Sequence, residues 1–376
     1  MRMPPAIWAD PGLNRVLDAL ERGGRAWLVG GAVRNSLMGQ PIDDIDIATD
    51  IPPDQVMTLA AQADLRTVPT GLDHGTITII SNGQGYEVTT LRRDVETDGR
   101  RAVVAFTDDL AQDAARRDFT MNALYAGRDG RVIDLVGGLP DLAARRLRFV
   151  GDPAQRIAED YLRILRFFRL YARYGQLAEP GAVAACGTLR DGLHQIARER
   201  IGAEVKKLLA APAPGASVAL MADTGVLDVV LPGADADALQ ALLRAEDAPG
   251  DWPRRLAALS DNADALRLSR AELRGQTARV QAVAADWSLD RAGYELGADA
   301  GADVALIRAS RGAALPADWR DRLARAATAR LPLRAADLDL TGPAVGRALR
   351  AAEAAWIDSG FTLSRTELIT AAGAGT

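Results

Sequence analysis

Strand-like segments crowd the first 150 residues of this chain and then stop. "RAWLVGG", "IDIAT", "TITIIS", "YEVTTLR" and "GRVIDLVGG" are short, rich in β-branched residues and bounded by turn residues. "TITIIS" and "YEVTTLR" are joined by "NGQG", a hairpin turn signal. Helical stretches lie between them: "LNRVLDALERGG", "AVRNSLMG" ending at Gly39, and "DDLAQDAARRDFTMNALYA". "RRDVETDGRRAVVAF" is polar and glycine-punctuated and reads as a mobile loop. Beyond residue 150 the pattern is helical. "DPAQRIAEDYLRILRFFRLYARYG" reads as one long amphipathic helix, with Leu162, Ile164, Leu165, Phe167, Phe168 and Leu170 forming its apolar face. "IARERIGAEVKKLLAA" is a second helix, and the remainder is alanine- and leucine-rich, broken near 212–215, 232–233 and 248–253. The expected architecture is a mixed α/β head followed by a long all-α tail.

Length and composition set outer bounds. The 376 residues are too many for one ordinary core and point to two to four domains. No apolar run approaches the roughly 20 residues of a membrane span, and no signal peptide is evident at the N-terminus. The single cysteine, Cys186, excludes an internal disulfide and a cysteine metal cluster, which favours the cytoplasm. A net charge of −5 argues against indiscriminate nucleic-acid binding. Lysine occurs at 206 and 207 only, and the other basic residues are arginines, whose planar fork suits phosphates and base edges.

Four motifs carry candidate chemistry. "PIDDIDIATD" (41–50) places Asp44 and Asp46 on one face of a strand, roughly 6.6 Å apart at about 3.3 Å per residue. Two such carboxylates repel unless a cation bridges them, and Mg²⁺ takes ligands of this kind together with substrate phosphates; the alternative is an acidic edge strand facing water. Asp43 points to the other face, and Asp50 begins the next turn or helix. "LVGGAVR" puts Gly30 and Gly31 at a strand-to-helix turn, where backbone amides can approach a phosphate and Arg34 can clamp it. In "RRDFTMNA" (116–123), Arg117 and Asp118 are placed to contact phosphate and ribose, with Asn122 in support; alone, the motif fits an ordinary capped helix equally well. In "EDYLRILRFFR", Asp160, Arg163, Arg166 and Arg169 step by three along a helix anchored by its Phe/Leu face, offering acceptors and donors together.

These motifs, with "HGTITI", "DLVGGLPDL" and "IARERIGAEVKKLL", occur in the order found in the class II CCA-adding enzymes and bacterial poly(A) polymerases, and the chain resembles that family over residues 26 to 210. The resemblance implies an α+β fold: a DNA polymerase β-like nucleotidyltransferase head with a small mixed sheet (1–145), then an all-α neck for base recognition (146–215), body (216–290) and tRNA-binding tail (291–376). It implies transfer of CMP and AMP from CTP and ATP to the tRNA 3′ end, releasing pyrophosphate by a two-metal displacement. Carried over by motif, Asp44 and Asp46 are the catalytic carboxylates and hold Mg²⁺. Gly31 and Arg34 bind the triphosphate, and Arg117 contacts the nucleotide, with Asp118 near its ribose. Asp160 and Arg163 read the base edge, Arg166 and Arg169 complete the pocket, and Arg198 and Glu199 buttress the neck. No membrane association is implied.

Glu87, in "YEVTT", is either a third metal carboxylate or a cross-strand structural residue. The family pattern has aspartate after the arginine of "GGAVR", and here it is Asn35; the isosteric amide keeps a hydrogen-bonding cap and loses the charge, so the expected effect is modest. His74, His194 and Cys186 read as structural. Within the family the competing activities are partial (CC or A) addition and poly(A) synthesis, and the length of the 93–106 loop favours switching from CTP to ATP. A catalytically silent RNA-binding relative is disfavoured by the intact D-x-D pair. A transferase acting on protein or small molecules is disfavoured by the arginine-lined neck.

Overall fold

Proline and aspartate punctuation sets the first elements. Asp10 caps α1 (Pro11–Leu20), its carboxylate accepting from the Gly12 amide at 2.8 Å and from the Tyr86 hydroxyl at 2.7 Å. The fully buried strand β1 (Ala26–Val29) runs into α2 (Gly31–Leu37) through Gly30. There φ is +67°, a conformation only glycine adopts without strain. β2 (Asp46–Thr49), α3 (Pro53–Gln62), β3 (Arg66–Gly71), β4 (Thr76–Ser81) and β5 (Gln84–Thr90) follow. The β4–β5 turn is Asn82–Gly83, both at positive φ, as a tight hairpin requires. A computed structural model describes the whole chain except Asp43, Gly99, Arg100, Asp247, Pro249, Gly375 and Thr376, and except the side chains of Asp73, 94–98, 101–104 and Ala374. The orientation expected for Asp43 lies outside the described residues.

The chain then forms β6 (Arg92–Asp98), β7 (Arg101–Phe106), α4 (Leu110–Ala115), β8 (Leu124–Ala126), β9 (Val132–Asp134) and α5 (Gly138–Ala143). Seven strands make one mixed sheet in the order β3-β4-β5-β2-β1-β8-β9, in which β2 and β5 are parallel and the other pairs antiparallel. Trp27, Val29, Ala48, Leu91, Ala114 and Tyr125 form a buried core against it.

Three expectations are corrected here. The polar stretch 92–106 is an antiparallel hairpin, β6 with β7, because backbone pairing along the ladder does not depend on an apolar face. The helix expected to run to Ala126 ends at Ala115, and Leu124–Ala126 becomes a strand because it pairs with β1 on the side opposite β2. The long helix after residue 150 is two helices, α6 (Pro153–Glu159) and α7 (Leu162–Tyr174). Asp160 breaks it: the residue is extended, with φ −153°, and its Oδ1 accepts from the Leu162 amide at 3.0 Å, starting α7 afresh. Strand β3 is an element that the sequence pattern did not reveal.

α8 (Pro180–Thr188) follows α7, with a two-residue parallel pairing of β10 (Arg146–Leu147) and β11 (Leu177–Ala178). An aromatic cluster fixes α7. Phe149 stacks on Phe167 at 5.7 Å between ring centres, and Phe119 lies 4.8 Å from Phe149. Phe119 and Phe167 are the chain neighbours of Asp118 and Arg166, so apolar packing holds the backbone on which that polar pair stands.

These elements belong to a first compact unit, Met1–Ile196 with Thr224–Val226. The second comprises Ala197–Asp223 and Leu227–Thr376, and the regular elements among its described residues are all helices. The helices from residue 198 onward are α9 (Arg198–Leu209), α10 (Pro214–Asp223), α11 (Val226–Val230), α12 (Ala236–Ala245), α13 (Trp252–Leu259), α14 (Arg270–Ala284), α15 (Leu289–Ser310), α16 (Trp319–Thr328), α17 (Pro343–Asp358) and α18 (Arg365–Ala374). α15 kinks at Gly297, and its Gly293 lets it close on α16, since a Cβ there would sit 2.8 Å from the Leu323 carbonyl oxygen. Trp356 and Leu368 lead the apolar core between α17 and α18. No helix among the described residues is long and apolar enough to cross a membrane.

Candidate active site

The β1–α2 turn, the start of β2, the segment after α4 and one side of α7 converge on a cavity of about 210 Å³ in the first unit. Among the residues singled out from the sequence, Gly31, Arg34, Asp46, Arg117, Arg166 and Arg169 line it. Gly30, Asp118, Asn122 and Leu170 complete the lining. Asp44, Asp160 and Arg163 do not line it.

Asp46 is the first residue of β2, and Asp44 precedes the strand as an exposed residue. Glu87 is directly beside Asp46 in the parallel β2–β5 register. Burial, then the negative charge of Glu87 and of Asp44, pushes the Asp46 carboxyl up to about 6, against the opposing pull of Arg117 and Arg34. A carboxylate so destabilised, with the Glu87 and Asp44 carboxylates near it, suits a hard divalent cation. Among the described residues no group of three His, Cys, Asp or Glu side chains closes into a metal cage.

Arg34 is buried, 7% exposed. Its Nε and Nη2 donate to Asn35 Oδ1 at 3.1 and 2.9 Å, Nη2 donates to the Tyr174 hydroxyl at 2.9 Å, and Nη1 donates to Asn122 Oδ1. The Tyr174 ring lies under the guanidinium at 4.0 Å. These partners are all neutral, and burial lowers the pKa of the group. Asn35 also donates from Nδ2 to the Pro41 carbonyl at 2.8 Å, which ties α2 to the segment leading to Asp44.

Asp118 sits at the centre of a second network. It accepts from Arg166 Nε at 2.9 Å and also from Arg166 Nη2, from Asn122 Nδ2 at 3.1 Å and from the Phe119 amide at 2.8 Å. Burial alone would raise this carboxyl; Arg166 and the other donors overcome burial and hold it at about 2. Asn122 therefore links Arg34 to Asp118, and through it to Arg166 on α7. Arg117 is held by Asp113 and Tyr125.

The remaining sequence candidates lie elsewhere. Arg163 donates to the Arg156 carbonyl at 2.7 Å and pairs with Glu159. Asp160 occupies the α6–α7 break. Arg198 and Glu199 open α9 in the second unit. Cys186 is buried, and burial raises its thiol pKa. Asp113, Tyr125 and Tyr174 were not anticipated. Asp113 carried a legible signal, four residues before Arg117 on one helical face; Tyr174 carried none, since it is 140 residues from Arg34.

Comparison with known proteins bears on the family and the fold. Residues 26–148 match the Poly A polymerase head domain, and residues 179–237 match the "Probable RNA and SrmB- binding site of polymerase A". The CCA-adding enzyme of Levilactobacillus brevis is 43% identical over 214 residues, covering 56% of this chain and 53% of the relative. The mitochondrial CCA tRNA nucleotidyltransferase 1 of Danio rerio is 42% identical over 216 residues, covering 56% and 50%. The chain spans about half the length of these curated relatives. The solved structure of the Bacillus stearothermophilus CCA-adding enzyme in complex with CTP superposes with a TM-score of 0.76 at 30% identity, covering 93% of this chain and 94% of that one. The Thermotoga maritima CCA-adding enzyme complexed with tRNA, at 19% identity and a TM-score of 0.69, shares the fold. These matches place the chain in the family of CCA-adding enzymes and poly(A) polymerases, with a nucleotidyltransferase head.

Proposed function

We propose that this protein builds the CCA end of tRNA without a nucleic-acid template, transferring CMP and AMP from CTP and ATP and releasing pyrophosphate, in the cytoplasm and with Mg²⁺. The observation that carries the proposal is the single cavity joining a glycine turn, a destabilised carboxylate and four arginines from three chain segments. The relative with bound CTP supports the nucleotide class.

Each residue has a role that follows from its place. Gly30 and Gly31 let the triphosphate approach the backbone. Arg34 and Arg117 neutralise its charge, Arg34 from a position fixed by Asn35, Asn122 and Tyr174. Asp44 and Asp46 would hold Mg²⁺, with Glu87 beside Asp46. When bound, Mg²⁺ supplies charge neutralisation at the phosphates and activation of the RNA 3′-hydroxyl. Asp118 and Arg166 border the sugar, and Arg169 completes the wall. Asp160 and Arg163 are assigned to the base edge, a role in which Arg163 exchanges Glu159 and the Arg156 carbonyl for the nucleotide. In domain terms, residues 1–145 carry catalysis, 146–215 base recognition, 216–290 the body and 291–376 tRNA binding.

The test uses tRNA ending at the discriminator base, at C or at CC, with labelled CTP or ATP supplied separately. Two CMP additions followed by one AMP and termination are expected. AMP addition without termination would mean poly(A) synthesis. Addition of only CMP or only AMP would mean a partial enzyme. Tight tRNA binding with no incorporation would overturn the enzymatic reading.

A further inference from the structure

The Arg117 guanidinium meets the cavity by one edge only. Its Nε and Nη2 donate to Asp113 Oδ2 at 3.1 and 2.9 Å, and Nε also reaches the Tyr125 hydroxyl at 2.9 Å. The Tyr125 hydroxyl donates to the same Asp113 oxygen at 2.6 Å, and the Tyr125 ring centre lies 5.1 Å from the guanidinium carbon. Nη1 makes no hydrogen bond among the described residues, and it lies 3.9 Å from where a Cβ on Gly30 would sit. Asp113 and Tyr125 thus fix the fork so that its remaining donors face the glycine turn.

The other oxygen of Asp113 faces the β6–β7 hairpin. Oδ1 accepts from the Arg92 backbone amide at 3.3 Å, from Arg116 Nε at 2.9 Å and from Arg116 Nη2. Arg116 Nε also donates to the Arg92 carbonyl at 3.0 Å. Arg92 is the first residue of β6, and the Thr107 amide closes the base of the hairpin onto the Leu91 carbonyl at 2.9 Å. Asp113 is 1% exposed, so its contacts are made in a setting that favours charged pairs of good geometry over loose ones.

We propose that Asp113 is a positioning residue for nucleotide transfer, presenting Arg117 Nη1 to the triphosphate while tying that arginine to the base of the β6–β7 hairpin. Occupancy of the cavity is then felt at Arg92. The inference rests on the cavity being the triphosphate site.

The experiment separates the two claims. Wild-type protein is first assayed for CMP incorporation into tRNA lacking its CCA end; failure there strikes the underlying reading, not the role of Asp113. With active wild type, steady-state kinetics are combined with hydrogen exchange of residues 89–94, with and without CTP. Asp113→Asn is expected to raise KM for CTP about tenfold while kcat changes less than about threefold. In that variant CTP no longer protects the 89–94 amides that it protects in wild type. Tyr125→Phe raises KM in the same direction by about threefold. Arg116→Gln, which loosens only the hairpin side, leaves KM near wild type and removes the protection. A purely structural Asp113 would lower the melting temperature and the active fraction and leave KM and protection unchanged, which would overturn the proposal. So would absence of CTP-dependent protection in wild type. Should Asp113→Asn fail to fold, Tyr125→Phe and Arg116→Gln decide: unchanged KM in the first or unchanged protection in the second overturns it.

Discussion

Replacing Asn35 by aspartate restores the residue found in the family pattern, and the structure gives its consequences term by term. Asn35 Oδ1 accepts two bonds from the buried Arg34 guanidinium, at 3.1 and 2.9 Å. With a carboxylate these bonds, already charge-assisted by the guanidinium, become an ion pair, a gain of about 1–2 kcal/mol. The same change removes the Nδ2 donor to the Pro41 carbonyl at 2.8 Å and sets two acceptors against each other. That costs about 1–3 kcal/mol, toward the lower end because Pro41 is exposed and water can replace the donor. The two effects nearly cancel. Asn35→Asp should therefore change kcat/KM for CTP by less than about fivefold, equivalent to roughly 1 kcal/mol, with little change in thermal stability. The assay is CMP incorporation into tRNA ending at the discriminator base, alongside a thermal unfolding scan. A gain above about thirtyfold would show that charge at position 35 governs Arg34 or the metal site. A loss of that size would show that the Pro41 anchor, three residues before Asp44, dominates. Either result refutes the reasoning.

Two further outcomes follow from the same networks. Tyr174→Phe keeps the ring beneath Arg34 and removes the hydroxyl that accepts at 2.9 Å; KM for CTP and ATP should rise roughly tenfold with kcat little changed, as steady-state kinetics would show. Asp118 and Asp113 are both held at about 2 in the folded protein, below the roughly 3.9 of an unfolded aspartate. The stability they supply is complete above about pH 4 and is lost as pH falls from about 4 to 2. Asp118→Asn should be less stable than wild type by about 2 kcal/mol at neutral pH. In denaturant melts at a series of pH values, that difference should shrink toward zero by about pH 2.

What the sequence made legible was local. The strand carrying Asp46, the glycine turn and the Asn82–Gly83 hairpin are each set by residues within a few positions and stand where the pattern placed them; Asp44, expected on the same strand face as Asp46, instead precedes the strand, because β2 pairing begins only at Asp46. Contacts between distant segments were not legible. Nothing near Leu124 announces a strand, because its partner is the edge of β1, nearly a hundred residues earlier. The apolar period of α6 and α7 runs on through Asp160, so the break depends on a side chain choosing the Leu162 amide over continued helix. The hairpin at 92–106 was hidden by its polar composition. Within the site, the arginines were visible as residues, but not the neutral cage around Arg34 or the Asp113–Tyr125 clamp on Arg117. Glu87 stood open between two roles; the parallel register sets it beside Asp46, where it contributes charge.

The central claim is that Asp44 and Asp46, just before and at the start of β2, drive nucleotide transfer to tRNA. The most direct measurement compares wild type, Asp44→Ala and Asp46→Ala for labelled CMP and AMP incorporation, at matched tRNA occupancy measured by filter binding. Wild type should add both nucleotides, and each variant should bind tRNA as wild type does while incorporating neither. A variant that retains wild-type incorporation, or a wild type that binds tRNA and adds nothing, would contradict the account.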